Sequence, residues 1–138
     1  MFKQILVAYD GSESAGKAFA YGLDLAEKYG AELRVLSVAR PPDFGAEVET
    51  EAVLEYSRNH YRQAMVPLEQ NATAKGILAH FEVATGHPAE QIVYHAERHG
   101  ADLIVVGHQG KALFGHWLIG SIAKQVMIHA PCSVLVAR

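Results

Sequence analysis

The chain has 138 residues, of which 50% are hydrophobic and 20% charged, with a formal net charge of −3. That length makes one ordinary domain, 1–138, and that mix buries a core without staples. The charge balance leaves no basic bias toward nucleic acid or an anionic membrane surface, and the single cysteine, Cys132, excludes an intrachain disulfide and fits a reducing cytoplasm.

The opening, MFKQILVAYDG, carries one lysine and an apolar run too short for a signal peptide. No apolar segment approaches the roughly 20 residues that span a bilayer, so a soluble, cytoplasmic protein with no membrane partner is expected. Residues 3–9 read as a short buried strand. Asp10-Gly11-Ser12 follows, with Ser12 a plausible N-cap and Asp10 suited to a turn before Gly11. Ala15, Ala18, Phe19, Gly22, Leu23 and Ala26 then recur at helical spacing, and Gly30 stops the helix. Glu13 and Lys17 read as a helix-surface pair, and the Ser14-x-x-Lys17 spelling as coincidence.

Residues 32–39 predict a second strand, and Arg40-Pro41-Pro42-Asp43-Phe44-Gly45 a loop. A helix is expected from about 46 to 75, with Val53, Leu54, Ser57, Tyr61, Ala64, Met65, Leu68 and Ala72 inward and Pro67 kinking or interrupting it. Residues 77–84 form the third strand. Pro88 suits the first turn of a helix that ends near Gly100, with Ala89, Ile92, Val93 and Ala96 inward. His95 and His99 are four apart on that helix, but Glu97 and Arg98 beside them suggest a solvated face, and no metal site is expected. Residues 102–106 are the fourth strand. A helix from about 119 to 129 turns Ile119, Ile122, Ala123, Val126 and Met127 inward, and 132–137 closes the chain as a fifth, buried strand that begins with Cys132, a cysteine expected to be inert.

Strand and helix alternate throughout, which implies a mainly parallel sheet covered by helices on both faces. Ligands of such sheets bind beyond the carboxyl ends of the strands, where the strand order reverses. Two strand ends carry unusual chemistry. One is Asp10. The other is Val106–Ser121, VGHQGKALFGHWLIGS, with glycines at 107, 110, 115 and 120. Glycine allows close approach of backbone amides, and Gly120-Ser121 stands where a helix begins, so its N–H groups and partial positive charge suit an anion. The plain alternative is a long connecting loop shaped by glycines, with Ser121 as a cap. Gly110-Lys111 is followed by Ala112, so this is not a Walker loop, and the Rossmann glycine pattern is absent too. His108 and His116 lie in the loop, as does an apolar group of Leu113, Phe114 and Trp117.

Gly107-x2-Gly110-x9-Gly120-Ser121 matches the nucleotide-binding pattern of the universal stress protein family, and the chain resembles that family throughout. The likeness runs through the ILVAYDGS opening, the LRVLSVA second strand, GHPAEQIV, ADLIVVG and the APCSVLVAR ending. The resemblance implies an α/β fold of three layers, α/β/α, with a five-stranded parallel sheet of order 3-2-1-4-5, Rossmann-like in the manner of the adenine nucleotide alpha hydrolases. It implies an adenine nucleotide, ATP or else ADP or AMP, between strands 1 and 4. In that reading Asp10 contacts the ribose beside Ala8, and the backbone of Val38 reads the adenine edge. Val106, Gly107, Gln109 and Gly110 surround ribose and phosphates, and Gly120, Ser121 and Ile122 supply amides and a hydroxyl to phosphate. Gln109 departs from the arginine or histidine frequent in the family, and donates without adding charge; either Lys111 or His108 compensates, or the pocket prefers fewer phosphates. Mg²⁺ would ride on the phosphates. The family likeness also implies a homodimer through strand 132–138, and regulatory protein partners. No nucleophile–base pair or placed acidic pair is evident, so slow ATP hydrolysis is the most catalysis expected. A nucleotide-free dimeric interaction module and a weak ATP-hydrolysing enzyme stay as alternatives. A receiver domain, also five-stranded, lacks its acceptor aspartate and lysine here.

Overall fold

The structure, a computed structural model, describes residues 1–43, 47–109 and 119–138. In chain order the elements are β1 (Gln4–Ala8), α1 (Glu13–Tyr29), β2 (Glu32–Ala39), α2 (Glu47–Ala74), β3 (Ala79–Thr85), α3 (Pro88–Arg98), β4 (Leu103–Gly107), α4 (Ser121–His129) and β5 (Ser133–Ala137). All five strands are parallel, in the order β3-β2-β1-β4-β5. The order reverses between β1 and β4, so their carboxyl ends flank the crevice where such sheets bind ligands.

Strand alternation divides the interior in two. Ile5, Val7, Leu33, Val35, Leu103 and Val105 pack with Phe19 and Leu23 of α1 and Met65 and Ala72 of α2. Leu6, Leu36, Ile104 and Val106 pack on the other face with Ile92 and Ala96 of α3 and Ala123 and Val126 of α4. Each fully buried Leu, Ile or Val contributes about 1.5–3 kcal/mol, so both faces hold their helices through apolar burial rather than propensity. Asp102 fastens the lower edge: its carboxylate accepts from Lys3 N at 2.9 Å and Gln4 N at 3.2 Å, aligning β1 with β4.

The caps of α1 are as expected. Ser12 Oγ accepts from Ala15 N at 3.2 Å, and Gly30 ends the helix at φ 65°, where a side chain is disfavoured. Other expectations need correction. Pro67 does not interrupt α2, which continues to Ala74; the residue is exposed, so water can take the carbonyl that its missing N–H leaves behind. Val53 is exposed because the inward stripe runs through Leu54, Tyr61, Met65, Leu68 and Ala72. The third strand starts at Ala79 rather than 77, since Ile77 N still closes the end of α2 onto Ala72 O at 3.0 Å. The last helix starts at Ser121, with Gly120 extended before it, so Ile119 is exposed; Met127 is exposed as well. His95 is buried, not solvated. It shares a face of α3 with Ile92 and Ala96, while Glu97 and Arg98 are exposed.

Candidate functional site

β1 and β4 end on short, sharply held connections. After β1, Asp10 Oδ1 accepts from Ser12 N at 2.9 Å and Gly11 takes φ 83°, so the aspartate does form the turn its sequence position suggested. Tyr9 is pinned from both sides: its N–H donates to Leu36 O at 2.9 Å, and its carbonyl accepts from the buried Ser37 hydroxyl at 2.6 Å. A buried hydroxyl without that partner would cost about 1–3 kcal/mol, so Ser37 is a satisfied strut between β2 and the chain leaving β1.

After β4 the chain meets the first turn of α1. The Ser14 hydroxyl donates to Gln109 O at 2.6 Å, and the Ser12 hydroxyl reaches the same carbonyl at 3.4 Å. The approach is so close that a Cβ on Gly107 would stand 2.8 Å from Ser14 C and 2.9 Å from Ala15 N, inside any tolerated contact. Gly107 is therefore required by packing. His108 then joins three segments: its N–H donates to Ala137 O at 2.7 Å, its Nδ1 lies 3.2 Å from that oxygen, and its carbonyl accepts from Gly120 N at 2.6 Å.

Between these connections lies a cavity of about 450 Å³, within the range of small-molecule sites, about 300–1,000 Å³. Ala8 and Asp10 line it from β1 and its turn, and Val38 from β2. Val106, Gly107 and Gln109 come from β4 and beyond, and Gly120, Ser121 and Ile122 from the start of α4. Gly110, the remaining predicted site residue, lies outside the described residues, as do Lys111, Leu113, Phe114, His116 and Trp117.

The α4 end of the cavity is suited to an anion. Gly120 caps the helix with extended backbone and no side-chain hydrogen bond, and the first turn has no acidic residue. Among the described residues, therefore, the N–H groups of this helix start and its partial positive charge meet no side-chain cap. Opposite stand residues that strand-end reasoning missed: Arg40 just past β2, and Ser57 and Tyr61 from α2. Burial, with the Asp10 carboxylate adding to it, pushes the Tyr61 phenol above its ordinary range, so the ring edge is an un-ionised group at neutral pH. Pro88 and Ile92 of α3 complete an apolar side. One end of the hollow thus offers apolar walls and a phenol, and the other backbone amides, with a carboxylate between.

The model of the Universal stress protein family matches residues 1–138. The chain belongs to this family. This universal stress protein is 37% identical over 139 residues to one from Thermus aquaticus and 32% identical over 148 residues to YxiE of Bacillus subtilis, in each case across the full length of both proteins. Its fold matches the solved universal stress protein UspA of Lactobacillus plantarum with a TM-score of 0.91 at 28% identity, over 99% of this chain and 97% of that one. Two more distant universal stress proteins share the fold. One, solved in complex with cAMP, gives a TM-score of 0.69 at 21% identity, covering 99% of this chain and 97% of that one. The other, from Archaeoglobus fulgidus in complex with dAMP, gives 0.64 at 19%, covering 99% and 98%. Among the described residues, no helix of this universal stress protein is long and apolar enough to cross a membrane.

Proposed function

We propose that this universal stress protein binds an adenine nucleotide, foremost ATP, in the cavity between β1 and β4. The observation that carries the reading is the meeting of an uncapped α4 start and the Asp10 carboxylate on one 450 Å³ hollow. That polarity fits a ligand with an apolar base, a hydroxyl-bearing sugar and an anionic tail. Asp10 accepts from the ribose hydroxyls, and the Val38 backbone takes the adenine edge beside Leu36 and Ile92. Amides of Ser121 and Ile122, with the Ser121 hydroxyl, hold phosphate, while the Gly120 N–H, expected from the sequence to join them, is taken by His108 O. Gln109 adds a donor without charge, so Arg40 and the helix start supply the positive potential. The cAMP and dAMP complexes of distant relatives support a nucleotide in this fold.

Asp10 is the one carboxylate among the described lining residues, which fits a site where Mg²⁺ is held through phosphate rather than by a protein cage. The nucleotide acts as a regulatory ligand in the cytoplasm: it shifts the population of states that partner proteins recognise. The protein works as a homodimer through β5, which lies at an edge of the sheet with one side of its backbone ladder unpaired by any described strand. Val134 and Val136 pack toward the α3–α4 core, so the dimer contact rests on backbone pairing more than on those side chains.

Denaturing the purified protein and identifying released nucleotide by mass spectrometry, with calorimetric titration of ATP, ADP and AMP on the emptied protein, tests the reading. An adenine nucleotide released, or bound one per chain, is expected. Neither release nor heat of binding with any of the three overturns it. Light scattering is expected to give twice the chain mass, and phosphate release with Mg²⁺ to stay slow.

A further inference from the structure

Away from the nucleotide cavity, the outer end of α3 covers a polar group at the β3 edge of the sheet. His95 and His99 are stacked on one side of α3, with ring centroids 5.8 Å apart and planes at 25°. Glu82 rises from β3 beneath them, and ligand atoms of all three side chains lie within 4.8 Å of one another. The His95 side chain is only 8% exposed, and among the described residues its buried Nδ1 has no hydrogen-bond partner. Buried polar atoms without a partner are rare and ask for an explanation. The nearest candidate, Glu82 Oε2, stands 3.4 Å away without hydrogen-bond geometry. Two donors on a tetrahedral ion with bonds of about 2.0–2.1 Å are themselves about 3.4 Å apart.

We propose that Glu82, His95 and His99 form a site for a divalent transition-metal ion of the Zn²⁺ class, bridging the edge strand β3 to α3. Two imidazoles and one carboxylate are a familiar borderline-soft donor set, and three protein ligands leave a fourth position for water. Histidines four apart on a helix share a face. Glu82, 45% exposed, and the half-buried His99 give the ion its way in, while buried His95 anchors it. Two cations oppose an ion here: Arg98 on α3 itself, and on β2 Arg34, two residues before Leu36, the register partner of Glu82. The Arg34 guanidinium lies 3.9 Å from Glu32, which also meets His80 Nε2 at 3.1 Å, so that charge is offset outside the triad.

The test is calorimetric titration of Zn²⁺ into the chelator-treated, nucleotide-free full chain, wild type and the variants Glu82→Gln, His99→Asn, His95→Asn and His80→Asn. Wild type is expected to bind one Zn²⁺ per chain and to melt at higher temperature with it, since an ion that binds only the folded state stabilises that state. Affinity is expected to fall at least 10-fold in the Glu82 and His99 variants and to hold in His80→Asn. If His95→Asn fails to fold, the two solvent-accessible positions decide alone. No stoichiometric binding in wild type, or equal affinity across wild type, Glu82→Gln and His99→Asn, overturns the site and leaves a His95–Glu82 ion pair as the use of the group.

Discussion

The Ser14 hydroxyl donates a 2.6 Å hydrogen bond to the backbone carbonyl of Gln109, 95 residues further along the chain. That bond binds the first turn of α1 to the segment leaving β4, and Gly107 allows the approach because a Cβ there would enter backbone atoms of Ser14 and Ala15. Ser14→Ala is expected to lose about 1–2 kcal/mol. Gly107→Ala is expected to cost more, about 1–3 kcal/mol or above, because the obstruction is main chain and cannot rotate away. Urea unfolding of both variants checks the order; an unperturbed Gly107→Ala would show that the two segments separate easily.

Gly120 is buried at the mouth of α4, with its N–H on His108 O, and lines the cavity with Ser121 and Ile122. Gly120→Val is expected to fill the phosphate end and weaken ATP binding at least 10-fold, with AMP suffering less than ATP. Calorimetry with both nucleotides reads the difference. Unchanged ATP affinity in a folded Gly120→Val protein would count against phosphate at this helix start.

Tyr61 supplies a pH dependence. Its phenol titrates higher in the folded chain, chiefly through burial and secondarily through Asp10. Above about pH 10 the unfolded chain therefore holds fewer protons than the folded one at this position, and stability falls as pH rises there. Its contribution is complete below that pH and is lost as pH climbs through the folded-state value. Tyr61→Phe is expected to flatten the alkaline limb of a stability–pH curve measured by urea unfolding from pH 8 to 11. Superimposable limbs would place the phenol in open water.

Cys132 is half-buried just before β5, and burial, with Asp102 adding to it, raises its thiol pKa against a weaker opposing backbone hydrogen bond from Ile104. Thiolate is the reactive form. Alkylation by iodoacetamide at pH 7.5 is expected to be several-fold slower in the folded protein than in urea. Equal rates would mean that neither burial nor charge protects it.

The layered fold was open to sequence reading because apolar runs of strand length alternate with helical stripes, and Gly30 and Pro88 mark a helix end and a helix start. Asp10 and Gly120-Ser121 stood out because chemistry at strand ends converges once β1 and β4 are neighbours. The contribution of α2 was hidden. Ser57 and Tyr61 read as inward positions, but period alone does not tell sheet from cavity, and only the packing of α2 against β2 and β3 brings Tyr61 near Asp10. Arg40 reads as loop in the sequence, although its position just beyond β2 is a usable signal. His95 misled because its neighbours in sequence are charged; its neighbours at helical spacing, Ile92 and Ala96 on one side and His99 beyond, were the better guide.

His108 acts as a clasp. Its carbonyl holds Gly120 while its own N–H is fixed to Ala137, so the chain that leaves β4 and the chain that enters α4 are secured at one point. Whatever runs from 110 to 118 is anchored at both ends independently of its own composition, and the entropic cost of altering its length is small. A lineage, or an engineer, can therefore exchange that stretch as a cassette while His108 and Gly120 keep their positions.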